Sequence, residues 1–279
     1  MTDTTPSTPS GDTSTPGRPL AVVTGASSGI GLELARQFAE HGFDLIVAAE
    51  DDEIAVAAAV LRAEGGGVEV EPVQVDLRRR QGVEELYAAI KADGRQLSAI
   101  ALNAGHGQGG AFVDTDLADE LSIIDLNITS TVRLAKLVLR DMVAADAGRV
   151  LVTSSIASTM PGSFQAVYNA SKSFLQSFTE AVQNELKDTG VTLTSLMPGP
   201  TETDFFERAD MAENTKVGTS KKDDPAQVAR QGFAALMAGK DRVVGGGLKT
   251  KVQEAAGKAM PDKVKAAMHR RMAEPGSDD

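Results

Sequence analysis

Three stretches of the chain carry residues whose types and spacing can do chemistry. The first is Thr24-Gly25-Ala26-Ser27-Ser28-Gly29-Ile30-Gly31. Gly25, Gly29 and Gly31 let the backbone turn sharply and come close to a pyrophosphate, whose charge then faces the first amides of a following helix. Ser27, Ser28 and Ile30 belong to the same turn. The second is Glu50, in Ala49-Glu50-Asp51. An acid about 20 residues past such glycines can accept hydrogen bonds from an adenosine ribose, and it repels a 2′-phosphate. No Lys or Arg stands beside Glu50 or inside the turn, which favours NAD over NADP. Arg78-Arg79-Arg80 keep NADP open as the alternative, because they too can approach the adenosine end. The third is Ser154-Ser155 followed by Tyr168 and Lys172. Tyr168 and Lys172, at i and i+4, share one helix face. A phenol titrates near 10, and a neighbouring ammonium favours its phenolate, which brings it toward acid–base work. Ser155 can hold a substrate oxygen.

The elements that must position these residues follow from hydrophobic patterning. Leu20 to Thr24 is a short continuous apolar run, as in a strand buried on both faces. The glycine turn follows, and helical spacing of Leu34, Ala35 and Phe38 runs on to His41. Further strands are expected at Leu45 to Ala49, Val68 to Val75, Ile100 to Leu102, Arg149 to Thr153 and Val191 to Met197. Helices are expected over 53–64, 81–92, 116–145 and 166–187. Residues 200–222 read as a loop. Asp224-Pro225 opens a helix to about Met237, with Asp as cap and Pro in the first turn. Arg242 to Val244 suit a short last strand. Strands alternating with helices predict an α/β fold, a doubly wound parallel sheet (Rossmann-type) with helices on both faces. Ligands of such sheets bind beyond the carboxyl ends of the strands.

Composition narrows the function. The 279 residues contain no cysteine, which excludes disulfides, thiolate metal sites and a cysteine nucleophile. With 3 histidines an imidazole metal site is not expected. The net charge of −11 disfavours a broad nucleic-acid footprint. No apolar run approaches the roughly 18–20 residues of a membrane span, and no signal pattern opens the chain, so a soluble, cytoplasmic protein is expected. Residues 1–17, rich in Thr, Ser, Pro and Asp, read as a disordered tail. The domain then spans 18–248, and 249–279 form a C-terminal helical extension and tail.

The motifs resemble those of the short-chain dehydrogenase/reductase family, in its compact single-domain branch, in order over roughly residues 19–205. Thr24 to Gly31 resembles the TGxxxGxG turn, Tyr168 and Lys172 the YxxxK pair, and Ser155 lies where the family keeps its catalytic serine. The resemblance also brings in Asp76, with Leu77 beside it, as an adenine contact, and Asn103-Ala104-Gly105 as the signature that supports sheet and cofactor. Asn127 matches the helix asparagine of a proton relay, and Pro198-Gly199 with Thr203 the segment that meets the nicotinamide carboxamide. It implies hydride transfer between a nicotinamide and an alcohol or ketone. Tyr168 would exchange the proton, Lys172 would lower its pKa and bind the ribose, Ser155 would position the oxygen, and Asn127 would hold a relay water. A homodimer or homotetramer is implied as well. One departure weakens the NAD argument: the family's acid often ends the second strand, where Ala49 stands here. A non-catalytic dinucleotide-binding sensor or scaffold is the rival of another class, and a sugar-nucleotide epimerase is disfavoured by length.

The loops that should wall a substrate pocket, Ile156 to Phe164, His106 to Gly110 and Phe205 to Thr219, carry Met160, Phe164, Phe205, Phe206 and Met211 and few charges. They suggest an apolar or moderately polar substrate. From Lys249 to Ala273, seven basic residues face two acidic ones, and Val252, Ala256, Met260, Val264, Met268 and Met272 recur every fourth position. That stripe is expected to pack on the body or a second subunit, or to meet an anionic surface. His41 and His269 are expected in solvent. His106 follows the Asn103-Ala104-Gly105 turn, within reach of a ligand.

Overall fold

The structure, a computed structural model, describes residues 17–213, 215–248, 250–252, 254 and 260–276. All but the last residue of the expected tail, and part of the expected extension, lie outside them. Seven strands form one parallel sheet: β1 (Leu20–Thr24), β2 (Asp44–Ala49), β3 (Val70–Gln74), β4 (Leu97–Leu102), β5 (Gly148–Thr153), β6 (Val191–Pro198) and β7 (Arg242–Gly245). Their order is β3-β2-β1-β4-β5-β6-β7. The order reverses between β1 and β4, so the crevice beyond their carboxyl ends is the ligand position of a doubly wound, Rossmann-type fold.

Alternation along β1 shows how the sheet is covered. Ala21 and Val23 face one layer, with α1 (Gly29–Glu40), α2 (Glu53–Glu64) and α9 (Pro225–Met237) packing Leu34, Phe38, Leu61 and Phe233 there. Leu20 and Val22 face the other, with α3 (Arg80–Ala92), α5 (Thr131–Ala144) and α6 (Ala166–Glu185) packing Leu86, Leu134 and Leu175. Buried on both faces, β1 and β2 have no polar period, hence their apolar runs in the sequence, whereas the edge strand β3 is largely not buried. Asp224 caps α9 as expected, accepting from the Ala226 N–H at 2.9 Å, with Pro225 in the first turn.

Four boundaries differ from the reading of the sequence. The third strand is shorter, Val70–Gln74, and β4 begins earlier, at Leu97. The expected helix over 116–145 is α4 (Leu117–Ile123), a π-helical turn (Ile124–Ser130) and α5. The apolar pattern passes through the wider turn unchanged, so local sequence does not reveal it; such turns are frequent at functional sites. The expected loop over 200–222 holds two one-turn helices, α7 (Phe205–Arg208) and α8 (Lys216–Thr219), because Phe206, Ala209 and Met211 bury a small core of their own.

The C-terminal helix α10 (Asp262–Ala273) follows Pro261 and corrects one expectation. His269, expected in solvent, is 6% exposed. Of the expected apolar stripe, Met272 turns to the cavity wall, while Val264 and Met268 are 45% exposed each. Polar contacts with a distant loop help set which face turns inward. Among the described residues no helix is long and apolar enough to cross a membrane.

Candidate active site

A cavity of about 390 Å³ opens along the carboxyl ends of the strands. The expected catalytic and cofactor-binding residues lie on its wall except Asn127, whereas Phe164 and Met211, expected to wall the substrate pocket, and Arg79 and Arg80 do not.

The cavity begins at the glycine turn. Gly25 and Gly29 have φ of 65° and 56°, a backbone region that side chains disfavour. A Cβ on Gly29 would strike the Thr203 methyl at 2.8 Å, so the absent side chain is what brings the segment after β6 against the turn. At Gly31 a Cβ would lie 1.9 Å from the Gly25 carbonyl oxygen. Backbone cannot yield there. Gly31→Ala is therefore expected to shift the start of α1, lower stability by roughly 2 kcal/mol or more, and abolish dinucleotide binding. Thermal unfolding beside a cofactor titration checks it, and a variant that binds normally would refute it. Ser28 stands at the N-cap of α1 without a side-chain cap bond, and the first turn carries no acid, so the leading amides face the cavity as an anion cradle.

At the end of the cavity beside β2 and β3, where the sequence places an adenosine contact, Glu50 is half-exposed and pairs with the Arg78 guanidinium at 2.5 Å. Arg78 also reaches Asp76 at 2.8 Å. Burial pushes the Asp76 carboxyl up, but the Arg78 bonds and the nearby Arg79 charge outweigh it and hold the group below its ordinary range. Arg78 thus stands on the cavity wall, where the sequence had left it open whether the arginines reach. Asp51 lies there too. Its Oδ2 accepts from the Ser27 hydroxyl at 3.1 Å, and its Oδ1 is buried with no partner among the described residues. A buried carboxylate oxygen left unpaired is costly unless a ligand completes it. The glycine cradle, the free helix amides and this orphaned oxygen fit a dinucleotide.

Asn103 knits three strand ends together. Its amide nitrogen donates to the Thr24 carbonyl at 3.2 Å, its amide oxygen accepts from Thr153 at 3.0 Å, and its backbone N–H donates to the Thr24 hydroxyl at 2.9 Å. Ala104 donates to the same hydroxyl, and Gly105 follows at the cavity wall. A Cβ on Gly105 would lie 3.0 Å from the Asn127 side-chain oxygen and 3.2 Å from Lys172 Nζ. The bare glycine lets both groups approach one point. Asn127 itself sits just behind the wall, fully buried in the π-helical turn. Its side chain accepts from the His106 N–H and donates to the His106 carbonyl, each at 3.0 Å, and donates to Ser171 at 2.9 Å. His106 is on the wall, its Nε2 3.0 Å from Ser122.

The reactive group closes the centre. Ser155 heads a single 3₁₀ turn (Ile156–Thr159), accepting from the Ala157 N–H at 3.1 Å and donating to the Pro198 carbonyl at 3.4 Å. That contact ties the serine to the Pro198-Gly199 corner. Tyr168 lies in the first turn of α6, with Lys172 one turn on and its Nζ 5.7 Å from the phenol ring centre. Lys172 is 4% exposed and donates to the Thr153 carbonyl at 3.0 Å. Burial pushes the Tyr168 phenol up to about 12, against the Ser155 hydrogen bond, which lowers it. Burial also brings the Lys172 ammonium down to about 8. Burial and the Ser155 bond, rather than the pull expected of the Lys172 charge, set the direction for the phenol, and the ammonium is itself desolvated.

Beyond Tyr168 the wall is mostly apolar, with Ile156, Met160, Phe205, Phe206, Val217 and Met272, and Asp204 and Arg208 as charged exceptions. The Phe205 and Tyr168 rings lie 5.1 Å apart. Sequence reasoning missed Gln165, His269 and Met272. Nothing local marks them; two come from a helix that returns from the far end of the chain.

Residues 19–214 match the family model described as short chain dehydrogenase. A monensin polyketide synthase putative ketoacyl reductase of Streptomyces virginiae is 37% identical over 194 residues, covering 68% of this chain and 73% of the relative. Among solved structures, a short-chain dehydrogenase from Sphingobium yanoikuyae in complex with NADPH has a TM-score of 0.73 at 28% identity, over 81% of this chain and 87% of its own. A short-chain dehydrogenase/reductase from Burkholderia phymatum in complex with NAD has the same TM-score at 25% identity, over 81% and 88%. The order of the sheet, the glycine cradle, the Tyr168–Lys172 pair and a family match over most of the chain agree: this protein belongs to the short-chain dehydrogenase/reductase family and is an oxidoreductase using a nicotinamide cofactor.

Proposed function

We propose that this chain reduces a ketone, or oxidises the corresponding alcohol, with Tyr168 as the proton-exchanging group. The observation that carries the reading is the convergence of Ser155, Tyr168 and Lys172 on one cavity that runs back to the glycine turn. The nicotinamide supplies or takes the hydride when bound. Ser155 holds the substrate oxygen beside the phenol. Tyr168, kept protonated by burial, gives its proton to that oxygen as a carbonyl is reduced. Lys172, anchored on the Thr153 carbonyl, places positive charge beneath the phenol as it becomes phenolate. Asn127 acts from behind, fixing the His106 backbone and, through Ser171, the helix that carries Tyr168 and Lys172. Pro198, Gly199 and Thr203 would hold the nicotinamide end, and Asp76 with Leu77 the adenine. The apolar wall beyond Tyr168 suits an apolar or moderately polar alcohol or ketone.

NAD is the proposed cofactor. Glu50, Asp51 and Asp76 put three carboxylates at the adenosine end against Arg78, and the unpartnered oxygen of Asp51 is placed to accept from a ribose hydroxyl. Arg78 supports the second reading, NADPH, because a 2′-phosphate could draw its guanidinium from Glu50. Titration with NADH and NADPH side by side tests both. The expected result is tighter binding of NADH by about tenfold or more, and Arg78→Ala weakening NADPH more than NADH. Tighter binding of NADPH by the unmodified protein would transfer the assignment to NADP. Cofactor binding with no turnover across an alcohol and ketone panel would favour a sensor.

We also propose a homo-oligomer, in line with the family. Leu117, Leu121, Ile124, Val143 and Phe174, on the neighbouring elements from α4 to α6, expose 37% or more of their surface.

A further inference from the structure

The loop between Ser155 and Tyr168 is held by a helix about a hundred residues away. Lys265 Nζ donates to the Thr159 carbonyl at 3.1 Å, and Ser163 donates to the Ala266 carbonyl at 3.2 Å. The Arg270 guanidinium lies 5.3 Å over the Phe164 ring. Phe164 has φ of 63°, a strained position for a bulky residue that only surrounding contacts maintain. Its carbonyl accepts from the Gly110 N–H at 3.0 Å. Helix α10 therefore clamps a strained loop and, through His269 and Met272, forms part of the cavity wall itself.

The contact of His269 determines its chemistry. Nδ1 lies 2.9 Å from the Ser163 carbonyl oxygen. A carbonyl only accepts, so Nδ1 carries the proton. In the neutral ring Nε2 is then a lone-pair acceptor. Burial lowers the ring's proton affinity, against the Ser163 bond, and so favours that neutral form. Nε2 has no hydrogen-bond partner among the described residues. Gln165, two residues beyond Ser163, lies on the wall of the same cavity and is 7% exposed. Its side-chain nitrogen is buried and likewise unpartnered among the described residues. An unsatisfied buried donor costs about 1–3 kcal/mol and calls for an explanation in a native protein. Here an acceptor and a donor, both without partners among the described residues, stand on the wall of one cavity beside apolar side chains such as Met160 and Met272.

We propose that His269 and Gln165 form a polar subsite for a hydroxyl group on the substrate, remote from the carbon that exchanges hydride. A hydroxyl is the function whose single oxygen can donate to His269 Nε2 and accept from the Gln165 amide. A carboxylate cannot donate to the first, and an ammonium cannot accept from the second. The substrate class is then an apolar ketone or alcohol with a second hydroxyl at its far end. This rests on the reading that Tyr168 works on a ketone or alcohol in the same cavity.

The test is a ladder of ω-hydroxy methyl ketones of increasing chain length, each with its methyl-terminated counterpart, assayed with NADH and NADPH. At the chain length that spans the cavity, the hydroxyl-ended member is expected to have a kcat/KM about tenfold higher, carried by KM. In His269→Leu that ratio falls to near unity, and His269→Gln, which keeps an acceptor, restores part of it. Ser163→Ala loosens the clamp without removing either polar group, and keeps the ratio whatever its absolute rate. A wild-type ratio near unity at every length, or a ratio unchanged in His269→Leu, overturns the subsite. Should no ketone turn over, the catalytic reading falls separately. The same ladder is then titrated calorimetrically into the cofactor-loaded protein. Hydroxyl-ended members binding about tenfold tighter to wild type, but not to His269→Leu, uphold the subsite. Equal binding overturns it.

Discussion

Tyr168→Phe is expected to lower kcat for ketone reduction by about a hundredfold to ten-thousandfold while leaving cofactor affinity within about threefold. The substitution removes one oxygen and no packing. The ring stays in the first turn of α6, 5.1 Å from Phe205, so the cavity keeps its shape. What disappears is the proton that a nascent alkoxide must receive. Ser155 cannot replace it, because an aliphatic hydroxyl is a far weaker acid than a phenol and serves here to hold the substrate oxygen. Steady-state kinetics beside a fluorescence titration of reduced cofactor separates the two effects. A variant with near-normal kcat would remove Tyr168 from the chemistry. One that lost cofactor binding as well would show the phenol to be chiefly a binding group.

Lys172→Met should cut kcat/KM by a comparable factor and yet stabilise the protein near neutral pH. The ammonium is buried, with the Thr153 carbonyl as its one hydrogen-bond partner among the described residues. Burial brings its pKa from 10.5 to about 8. The folded state thus holds this proton less firmly than the unfolded chain does. The charged lysine destabilises the fold by its full amount below pH 8, and the penalty fades as pH rises from about 8 to 10.5. Methionine fills similar volume without the charge. Offsetting the relieved desolvation against the lost hydrogen bond leaves a gain of roughly 1–2 kcal/mol at pH 7. Urea unfolding of both proteins across that range should show the gain shrinking as pH rises. A variant less stable than wild type at neutral pH, or a difference flat with pH, would defeat the argument. A group that costs stability where it stands is what a catalytic residue, rather than a structural one, would be.

Much of this was legible locally. β1 reads from five apolar or small residues in a row, and α2 spans Glu53–Glu64 as expected. The cap and start of α9 read from Asp224-Pro225. The cavity residues read from a glycine turn at the end of one strand and a tyrosine four positions before a lysine. Where the expectation slipped, a non-local contact had intervened. The π-helical turn at Ile124–Ser130 carries Asn127, which is bonded to the His106 backbone and Ser171. No short-range pattern encodes it. From the sequence the arginines after Asp76 read as able to approach the adenosine end. Arg78 proves to lie on the cavity wall only because β2 and β3 are neighbours and bring Glu50 within its reach.

By itself the sequence determined the layering and the chemical inventory. Hydrophobic period is a property of a few consecutive residues, and so are a tight glycine turn and an i, i+4 pair. Tertiary structure decided what those groups become. The balance between burial and the Ser155 hydrogen bond, which leaves the phenol protonated, depends on what surrounds Tyr168 on every side. His269 looked like a solvent residue on a basic helix. It becomes a buried, neutral acceptor because α10 comes back across the loop that precedes Tyr168. Desolvation and tautomer are set by the partners a group meets in space, and the chain brings those partners together from 106 positions apart.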